Sequence, residues 1–339
     1  MNDTLQLTGR HTGQIPRLTV ALIRALGNTL AAGPAADRLC IVNYHRVLPV
    51  HNPLLASEPD VAAFSWQMEL LARCFHVMPL RKAMAHLQSG EPIPPRSVCI
   101  TFDDGYRSIH DLALPVLRRF GLPATVFVTS GHVGKGNMWN DRIIEAVQML
   151  PDGLLDLSDL GLGTFSLHSL DDRMAAIGLL TERSKYLPPA ERSNVIERLV
   201  TLAGATMTPE LMLTQDMVRN LDRSGIEIGA HTVTHPILTS LDDASARAEI
   251  STGKEELEAI LGKPVRLFAY PNGKVGMDFD HRHVAMVREA GFDAAFTTAV
   301  GAITRDQDHF QLPRSRPWDS SPLMFGLRLL RWLVQGRPQ

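Results

Sequence analysis

Short apolar runs that end in polar residues alternate with longer segments of helical periodicity along most of the chain. The apolar runs predict strands at 38–47, 98–102, 124–129, 227–230, 265–270 and 293–297. Apolar residues at helical spacing predict helices at 109–120, 243–261 and 282–290. This alternation is typical of βα units around a parallel sheet, so we predict an α/β fold over residues 37–318.

One stretch of this region departs from the alternation. Residues 153–209 are rich in leucine and in charged side chains and carry few strand signals. We therefore predict a helical insertion within the α/β domain rather than a separate domain.

The two ends of the chain are predicted to be amphipathic helices. The N-terminal extension, 1–36, holds an apolar run at 18–23 that suits a signal peptide, but Arg24 interrupts it and leucines recur at helical spacing, which favours a helix. The C-terminal segment, 319–339, interleaves Leu, Phe and Trp with Arg328 and Arg331. Such a helix can dock on the protein or lie on a membrane surface, so peripheral membrane association stays open.

Composition narrows the class of protein. The 339 residues are 45% hydrophobic, which is enough for a sizeable core. The net charge of −2 lacks the positive excess that nucleic-acid binding requires, so a nucleic-acid partner is not predicted. No window approaches 18 uninterrupted apolar residues, so no segment is predicted to span a bilayer. We expect a cytoplasmic protein or one peripheral to the inner membrane, with an exported form as an open alternative.

Candidate chemistry begins with two adjacent carboxylates at a strand end. Asp103 and Asp104 follow the apolar run 98–102 and precede Gly105. Carboxylates held side by side in a cleft repel each other unless a cation or a shared proton relieves them. Taken alone, the pattern also suits a turn that caps a helix.

Two histidines follow another predicted strand. His231 and His235 are four residues apart, a spacing that places both imidazoles on one face of a helical turn, where they can converge on one ion. With an aspartate they make a three-ligand site, as in hydrolytic zinc centres or in non-haem iron oxygenases. Thr232 stands where the metalloprotease motif needs glutamate, which disfavours a peptidase.

A third segment, 266–273, runs from a strand into a tight turn. Pro271 and Gly273 there can fix the backbone so that a main-chain N–H points into the cleft, as an oxyanion donor must. An ordinary strand-ending turn explains the pattern equally well.

These three segments, in this order, resemble the first three motifs of the polysaccharide deacetylase family, carbohydrate esterase family four, with the NodB homology fold. The resemblance extends over 39–317 and implies a distorted, incomplete (β/α) barrel with a divalent metal in its cleft. Zinc is the expected metal, with cobalt, nickel or manganese as alternatives. The implied activity is removal of N-acetyl groups from a polysaccharide or its lipid-linked precursor; an O-acetyl esterase and a glycan-binding pseudoenzyme are the alternatives.

The resemblance also implies roles for individual residues. Asp103 matches the general base, and Asp104, His231 and His235 match the metal ligands. Asn272 matches the position whose backbone N–H binds the oxyanion. The remaining candidates for contact with substrate are Tyr106, Tyr270 and Pro271. Apart from the resemblance, Trp139 and Trp318 are candidates for stacking on a sugar ring, with packing inside the protein as the more common use of a tryptophan.

The sequence departs from the family pattern at two places. Ala269 and Tyr270 stand where the family commonly has an arginine that orients the base, which leaves Arg266 as a doubtful substitute and Arg314 as a candidate for steadying the base or the substrate. The late Leu-x-His motif is absent. Tyr44-His45-Arg46-Val47 is similar instead to the circularly permuted branch that includes poly-N-acetylglucosamine deacetylases, which implies His45 as the acid.

Overall fold

The computed structural model describes residues 15–31, 33, 37–204, 210–317 and 319–336. The strands are β1 Leu39–Tyr44, β2 His76–Val77, β3 Ser97–Phe102, β4 Thr125–Val128, β5 Leu154–Leu157, β6 Gly163–Ser166, β7 Glu227–Ala230, β8 Leu267–Ala269, β9 Ala294–Phe296 and β10 Ala302–Ile303. The α-helices are α1 Arg17–Ala31, α2 Val61–Cys74, α3 Leu80–Ser89, α4 Leu114–Phe120, α5 Trp139–Met149, α6 Leu170–Lys185, α7 Pro189–Ala203, α8 Gln215–Arg223, α9 Asp243–Leu261, α10 His281–Glu289 and α11 Pro322–Gln335.

The main sheet has the order β10-β1-β3-β4-β7-β8-β9, with β2 beside β3. All neighbours from β1 to β9 pair in parallel, and β10 pairs antiparallel with β1. Every residue of β1, β3 and β4 is buried, because helices or the barrel interior cover both faces of the sheet. This burial explains the uninterrupted apolar runs, and the predicted α/β fold is confirmed.

A short segment, 312–315, closes the curled sheet into a distorted barrel. Leu312 bridges to Phe296 of β9, and Ser315 bridges to Val42 of β1. The N–H of Ser315 donates to the carbonyl of Ile41 over 2.8 Å. The carboxyl ends of β1, β3, β4, β7, β8 and β9 and the segment 312–315 thus form one ring.

The predicted helices are present, with one local difference. The helix expected at 109–120 begins as a wider π-turn, Ile109–Ala113, and continues as α4. Pro115 has no N–H to donate to the carbonyl four residues before it, and its ring crowds that carbonyl, so the wider turn relieves the conflict.

The predicted insertion contains a hairpin as well as helices. Strands β5 and β6 pair antiparallel, with Leu154 opposite Ser166 and Leu157 opposite Gly163. Four-residue strands with alternating burial leave too little periodicity to stand out in a leucine-rich sequence. Together with α5, α6 and α7 the hairpin surrounds a hydrophobic cluster of its own, which begins at Ile143 and therefore upstream of the predicted start at Gly153.

The helices α1 and α11 pack against each other at the outside of the barrel. The buried side of α1 contains Val20 and Ile23, whereas Leu18 and Leu22 are 84% and 46% exposed. Leu22 and Leu26, two of the leucines whose helical spacing predicted this amphipathic helix, are therefore exposed to solvent. The apolar side of α11 is buried against the protein, as expected of a docking helix. Among the described residues, no helix is both long and apolar enough to cross a membrane.

Because Gly253 has no side chain, α9 can pack closely against the loop that follows β7. A Cβ at this position would lie 2.9 Å from the carbonyl carbon of Thr232, which is backbone and cannot move aside cheaply. We expect Gly253→Ala to lower the free energy of unfolding by about 1–3 kcal/mol through overpacking.

Urea denaturation measures this loss, with Gly178→Ala in α6 as the control. No atom lies within 4 Å of a Cβ built on Gly178, so this second helical Gly→Ala change should be neutral or stabilising by about 0.5–1 kcal/mol. Equal effects of the two substitutions would contradict the proposed close approach.

Candidate active site

The predicted site residues lie at the carboxyl ends of β3 and β7, inside the mouth of the barrel. Asp103 and Asp104 come directly after β3, and the N–H of Asp103 donates to the carbonyl of Tyr44 at the end of β1. Asp104 adopts a φ of 73° and Gly105 a φ of 87°. A left-handed aspartate is strained, and such strain is concentrated at functional sites. The sharp turn separates the surroundings of the two carboxylates.

Asp103 forms a buried ion pair with Arg314. The two guanidinium nitrogens Nη1 and Nη2 lie 2.6 and 2.8 Å from its carboxylate oxygens, and the Asn43 amide donates to Oδ2 over 2.9 Å. Burial alone would raise the pKa of Asp103, but the charge and hydrogen bonds of Arg314 together with the charges of nearby histidines outweigh burial and hold that pKa below its usual value. Asp103 is therefore an oriented, unprotonated carboxylate.

Asp104 faces the two histidines instead. Its Oδ1 lies 3.5 Å from Nε2 of His231 and 3.4 Å from Nε2 of His235. The three potential ligand atoms all lie within 4.8 Å of one another, and Asp104 Oδ1 is buried without a hydrogen-bond partner. An orphaned carboxylate oxygen between two imidazoles fits a cation site, because a cation satisfies all three groups at once.

The histidine surroundings support the same conclusion. Nδ1 of His231 lies 2.7 Å from the carbonyl oxygen of Ala269. Since a carbonyl only accepts, Nδ1 carries a proton, and Nε2 is the nitrogen directed at Asp104 as a potential metal ligand. Burial disfavours the imidazolium of His231, but the charges of Asp103 and Asp104 outweigh it and raise the pKa. Burial lowers the pKa of His235 to about 3.

The segment that carries the two histidines is a loop rather than the helical turn that their spacing suggested. Thr232 and His235 adopt φ values of 65° and 58°. Glu249 of α9 anchors the loop: its carboxylate accepts hydrogen bonds from the backbone N–H groups of Val233 and Thr234, both at 2.8 Å. The imidazoles converge because tertiary contacts fold the loop, so the predicted convergence holds and its helical explanation was wrong.

His45 lies in the loop after β1, close enough for its charge to act on both Asp103 and Asp104. Its Nδ1 is buried and has no hydrogen-bond partner within the described residues. The structure thus brings His45 to the same site, and its role as acid stays a prediction.

The turn predicted to bind the oxyanion follows β8. Asn272 has a φ of 59°, and its carbonyl accepts a hydrogen bond from the Thr298 hydroxyl over 2.7 Å. The N–H of Gly273 donates to the carbonyl of Pro271. This backbone is fixed by its neighbours, as an oxyanion donor requires, and the roles of Asn272 and Pro271 stay predictions.

The two tyrosines predicted to contact substrate are engaged elsewhere. Tyr270 is fully buried; its ring stacks on Phe279 at 3.7 Å and its hydroxyl donates to the carbonyl of Phe310. Tyr106 is also buried, and its hydroxyl lies 3.1 Å from both carboxylate oxygens of Asp141. Both side chains therefore contribute packing and hydrogen bonds inside the protein.

The other candidates make contacts of a different kind from those predicted. Trp139 packs against the hydrophobic cluster of the insertion, with the Arg192 guanidinium 5.0 Å above its ring. Arg266 faces Asp293 at 3.8 Å rather than Asp103, so it does not orient the base. Trp318 lies outside the described residues.

Two residues of the site were missed from the sequence. Asn43, which holds Asp103, is a polar residue inside an otherwise apolar strand, a signal that could have found it. Asp141, which binds Tyr106 and lies 3.2 Å from Arg46 Nη1, resembles an ordinary first-turn aspartate of a helix. Burial raises the pKa of Asp141 to about 7.

The Asp103–Arg314 pair yields a prediction about stability. Arg314→Met should lower the free energy of unfolding by about 3–5 kcal/mol at neutral pH, because it leaves a buried carboxylate unpaired. Since the pKa of Asp103 is lowered in the folded state, the stabilisation is fully present above about pH 4, the unfolded value, and is lost as pH falls through the folded value.

Urea denaturation at several pH values measures the difference between wild type and Arg314→Met. The double variant Asp103→Asn/Arg314→Met is the control, because it carries no unpaired charge and should lose less than the sum of the single variants. Strict additivity would contradict the coupling.

Comparisons with known proteins agree with this geometry. The sequence matches the polysaccharide deacetylase family profile over residues 90–295. It is 23% identical over 286 residues to the poly-beta-1,6-N-acetyl-D-glucosamine N-deacetylase of Staphylococcus epidermidis, covering 80% of this chain and 76% of the relative. The Staphylococcus aureus enzyme of the same name is 34% identical over 92 residues, 27% of this chain and 30% of its own.

Solved structures show the same fold. The Streptococcus pyogenes deacetylase PplD, in complex with acetate, superposes with a TM-score of 0.57 at 17% identity, covering 88% of this chain and 99% of its own. IcaB from Ammonifex degensii superposes with a TM-score of 0.56 at 19% identity, covering 88% and 97%. With a profile match over most of its length, the chain belongs to the polysaccharide deacetylase family.

Proposed function

We propose that this protein hydrolyses N-acetyl groups on hexosamine residues of a polysaccharide or of its lipid-linked precursor. The observation that carries the proposal is that two adjacent carboxylates have different partners. Asp103 is paired with Arg314, and Asp104 faces His231 and His235. The family and the name of the Staphylococcus epidermidis relative support an N-acetylated glycan as substrate.

Asp104, His231 and His235 would hold a divalent metal, for which we propose zinc. Two imidazoles and one carboxylate suit zinc, and the three ligand atoms already converge. When bound, such an ion polarises a carbonyl and makes water a stronger acid. Glycan binding without turnover is disfavoured, because the full ligand set and the base are present.

The protein groups then perform the proton transfers of amide hydrolysis. Asp103 takes the proton of the attacking water, since Arg314 keeps its carboxylate ionised and oriented. The backbone N–H of Asn272 stabilises the negative charge that develops on the carbonyl oxygen. His45 protonates the departing sugar amine, which leaves acetate and a free amino sugar.

The site favours hydrolysis over the oxygenase alternative. An oxygenase with two histidines and a carboxylate needs no second aspartate beside its ligand. Here Asp103 is held by two buried partners, Arg314 and Asn43. A cytoplasmic location, or attachment to the inner membrane, stays a prediction.

The test of the proposed function compares two single variants. Acetate release from a panel of N-acetylated and O-acetylated glycans should stop with chelator and return with added zinc. His235→Ala should lose bound metal and activity together, because only three side chains hold the ion. Asp103→Asn should keep the metal and lose about 10²–10⁴-fold in rate.

Metal content by mass spectrometry and acetate release by a coupled assay separate these results. Asp103→Asn with full activity would remove Asp103 from the role of base. Turnover that depends on iron and oxygen, without acetate release, would support the oxygenase instead.

His45 gives a separate prediction that depends on the leaving group. His45→Gln should lower the rate on an N-acetylated sugar by about 10²–10⁴-fold, because the departing amine needs a proton. The same variant should hydrolyse 4-nitrophenyl acetate at nearly the wild-type rate, since that leaving group departs as an anion. Equal losses on both substrates would contradict the role as acid.

A further inference from the structure

The insertion, taken from the start of α5 to the end of α7 as residues 139–203, contacts loops on more than one side of the mouth of the barrel. It lies in the chain between β4 and β7, and these two strands are neighbours in the middle of the sheet. Both ends of the insertion therefore connect to that part of the sheet. Three sets of contacts then tie it to loops that follow other strands. Together they determine from which side a glycan can reach the site.

The first contact ties the insertion to the loops after β1 and β3. Asp141 of α5 is 2% exposed and lies 3.2 Å from Arg46 Nη1, beside the candidate acid His45. The Tyr106 hydroxyl, two residues beyond Asp104, donates to the same carboxylate. The Arg46 guanidinium also lies 5.0 Å above the Tyr106 ring. This hydrogen-bonded junction is buried, with Arg46 9% and Tyr106 4% exposed, and leaves no passage for a sugar ring here.

The second contact is apolar and lies further along the loop after β1. Leu54, in the turn Pro53–Leu55, packs against the hydrophobic cluster of the insertion, and this turn contacts α6. The insertion therefore continues over the outer part of the β1 loop.

The third contact lies on the opposite side of the mouth. Lys185, the last residue of α6, places Nζ 3.3 Å from Oδ1 of Asp278 in the loop after β8. Asp278 is completely buried and the Lys185 side chain is 16% exposed. In the sheet order, β1 and β8 flank β3, β4 and β7. The 16 residues of α6 span about 24 Å, more than the roughly 19 Å across four strand spacings.

The insertion thus contacts the loops after β1, β3 and β8 and follows β4 in the chain, so its contacts lie on both sides of β4 and β7 in the sheet order. None of these contacts involves β9 or the segment 312–315, which leaves that side of the ring for entry of the substrate. A polymer that passes through a site needs an opening on both sides of the reacting sugar, whereas a cleft open on one side admits a chain end. The catalytic groups lie inside, with Asp103 and Asp104 3% and 5% exposed.

From these contacts we propose that the insertion restricts the enzyme to a terminal N-acetylhexosamine of its glycan. This inference rests on the proposed function and adds the position of the reacting sugar. The substrate class is a glycan terminus, as in a short oligosaccharide or the free end of a growing chain, rather than the interior of a finished polymer.

The test uses the wild-type protein with zinc and β-1,6-linked N-acetylglucosamine oligomers of increasing length, labelled at the reducing end. Tandem mass spectrometry locates each deacetylated residue. We expect one terminal position to react at least about tenfold faster than any internal one, and the rate per chain to be independent of length. Internal residues reacting as fast as the terminal one would overturn the proposal while leaving the proposed function intact. No acetate from oligomers or polymer would overturn both.

A pair of double variants tests whether the insertion is the cause. Leu54→Ala/Lys185→Ala removes two contacts between the insertion and the loops at the mouth. The rate at internal positions should then come to within about threefold of the rate at the terminal one, because a less firmly held insertion is displaced at little cost in free energy. The control, Leu261→Ala/Lys254→Ala on α9, removes a partly buried leucine and a lysine with 17% side-chain exposure, paired with Glu258 at 3.5 Å. It should keep wild-type selectivity. If both double variants keep it, the insertion is not the cause.

Discussion

Two carboxylates on consecutive residues, both buried, are the electrostatic problem on which this site depends. Asp103 and Asp104 would repel each other and take up protons if nothing compensated their charge. The fold compensates the two negative charges separately. Arg314 neutralises Asp103, and two imidazoles that can bind a cation face Asp104. The pair can then divide into a base and a ligand, which neither residue could be if they shared one proton.

The segment that closes the barrel also neutralises the charge of the proposed base. The segment 312–315 fills the gap between β9 and β1, and the same short segment carries Arg314 into the interior. The guanidinium also donates to the carbonyl of Thr297 at the end of β9 and lies over the Phe127 ring. Its position is therefore fixed by strands on both sides, so an arginine from a distant part of the chain is held against Asp103.

Rigid and adaptable parts of the molecule are separated. The groups proposed for chemistry lie at strand ends held by backbone hydrogen bonds, and the histidine loop is tied to α9 through Glu249. The insertion has its own hydrophobic cluster, and among the described residues it reaches the mouth through side-chain contacts such as Asp141–Arg46 and Lys185–Asp278. Sequence change in the insertion can thus alter access to the cleft without disturbing the reacting groups.

The sequence by itself determined the α/β alternation, six of the ten described strands, and the helices at 109–120, 243–261 and 282–290. The resemblance of its motifs to a known family implied the cluster of Asp104, His231 and His235. Apolar periodicity is a local property of the sequence, so it predicts strands and helices without a structure. Only the tertiary structure decided that Arg314 pairs with Asp103, 211 positions away, and that Asp141 seals the insertion against Arg46. It also decided that Tyr270 faces the core. These outcomes depend on contacts between distant segments, which no local pattern of residues encodes.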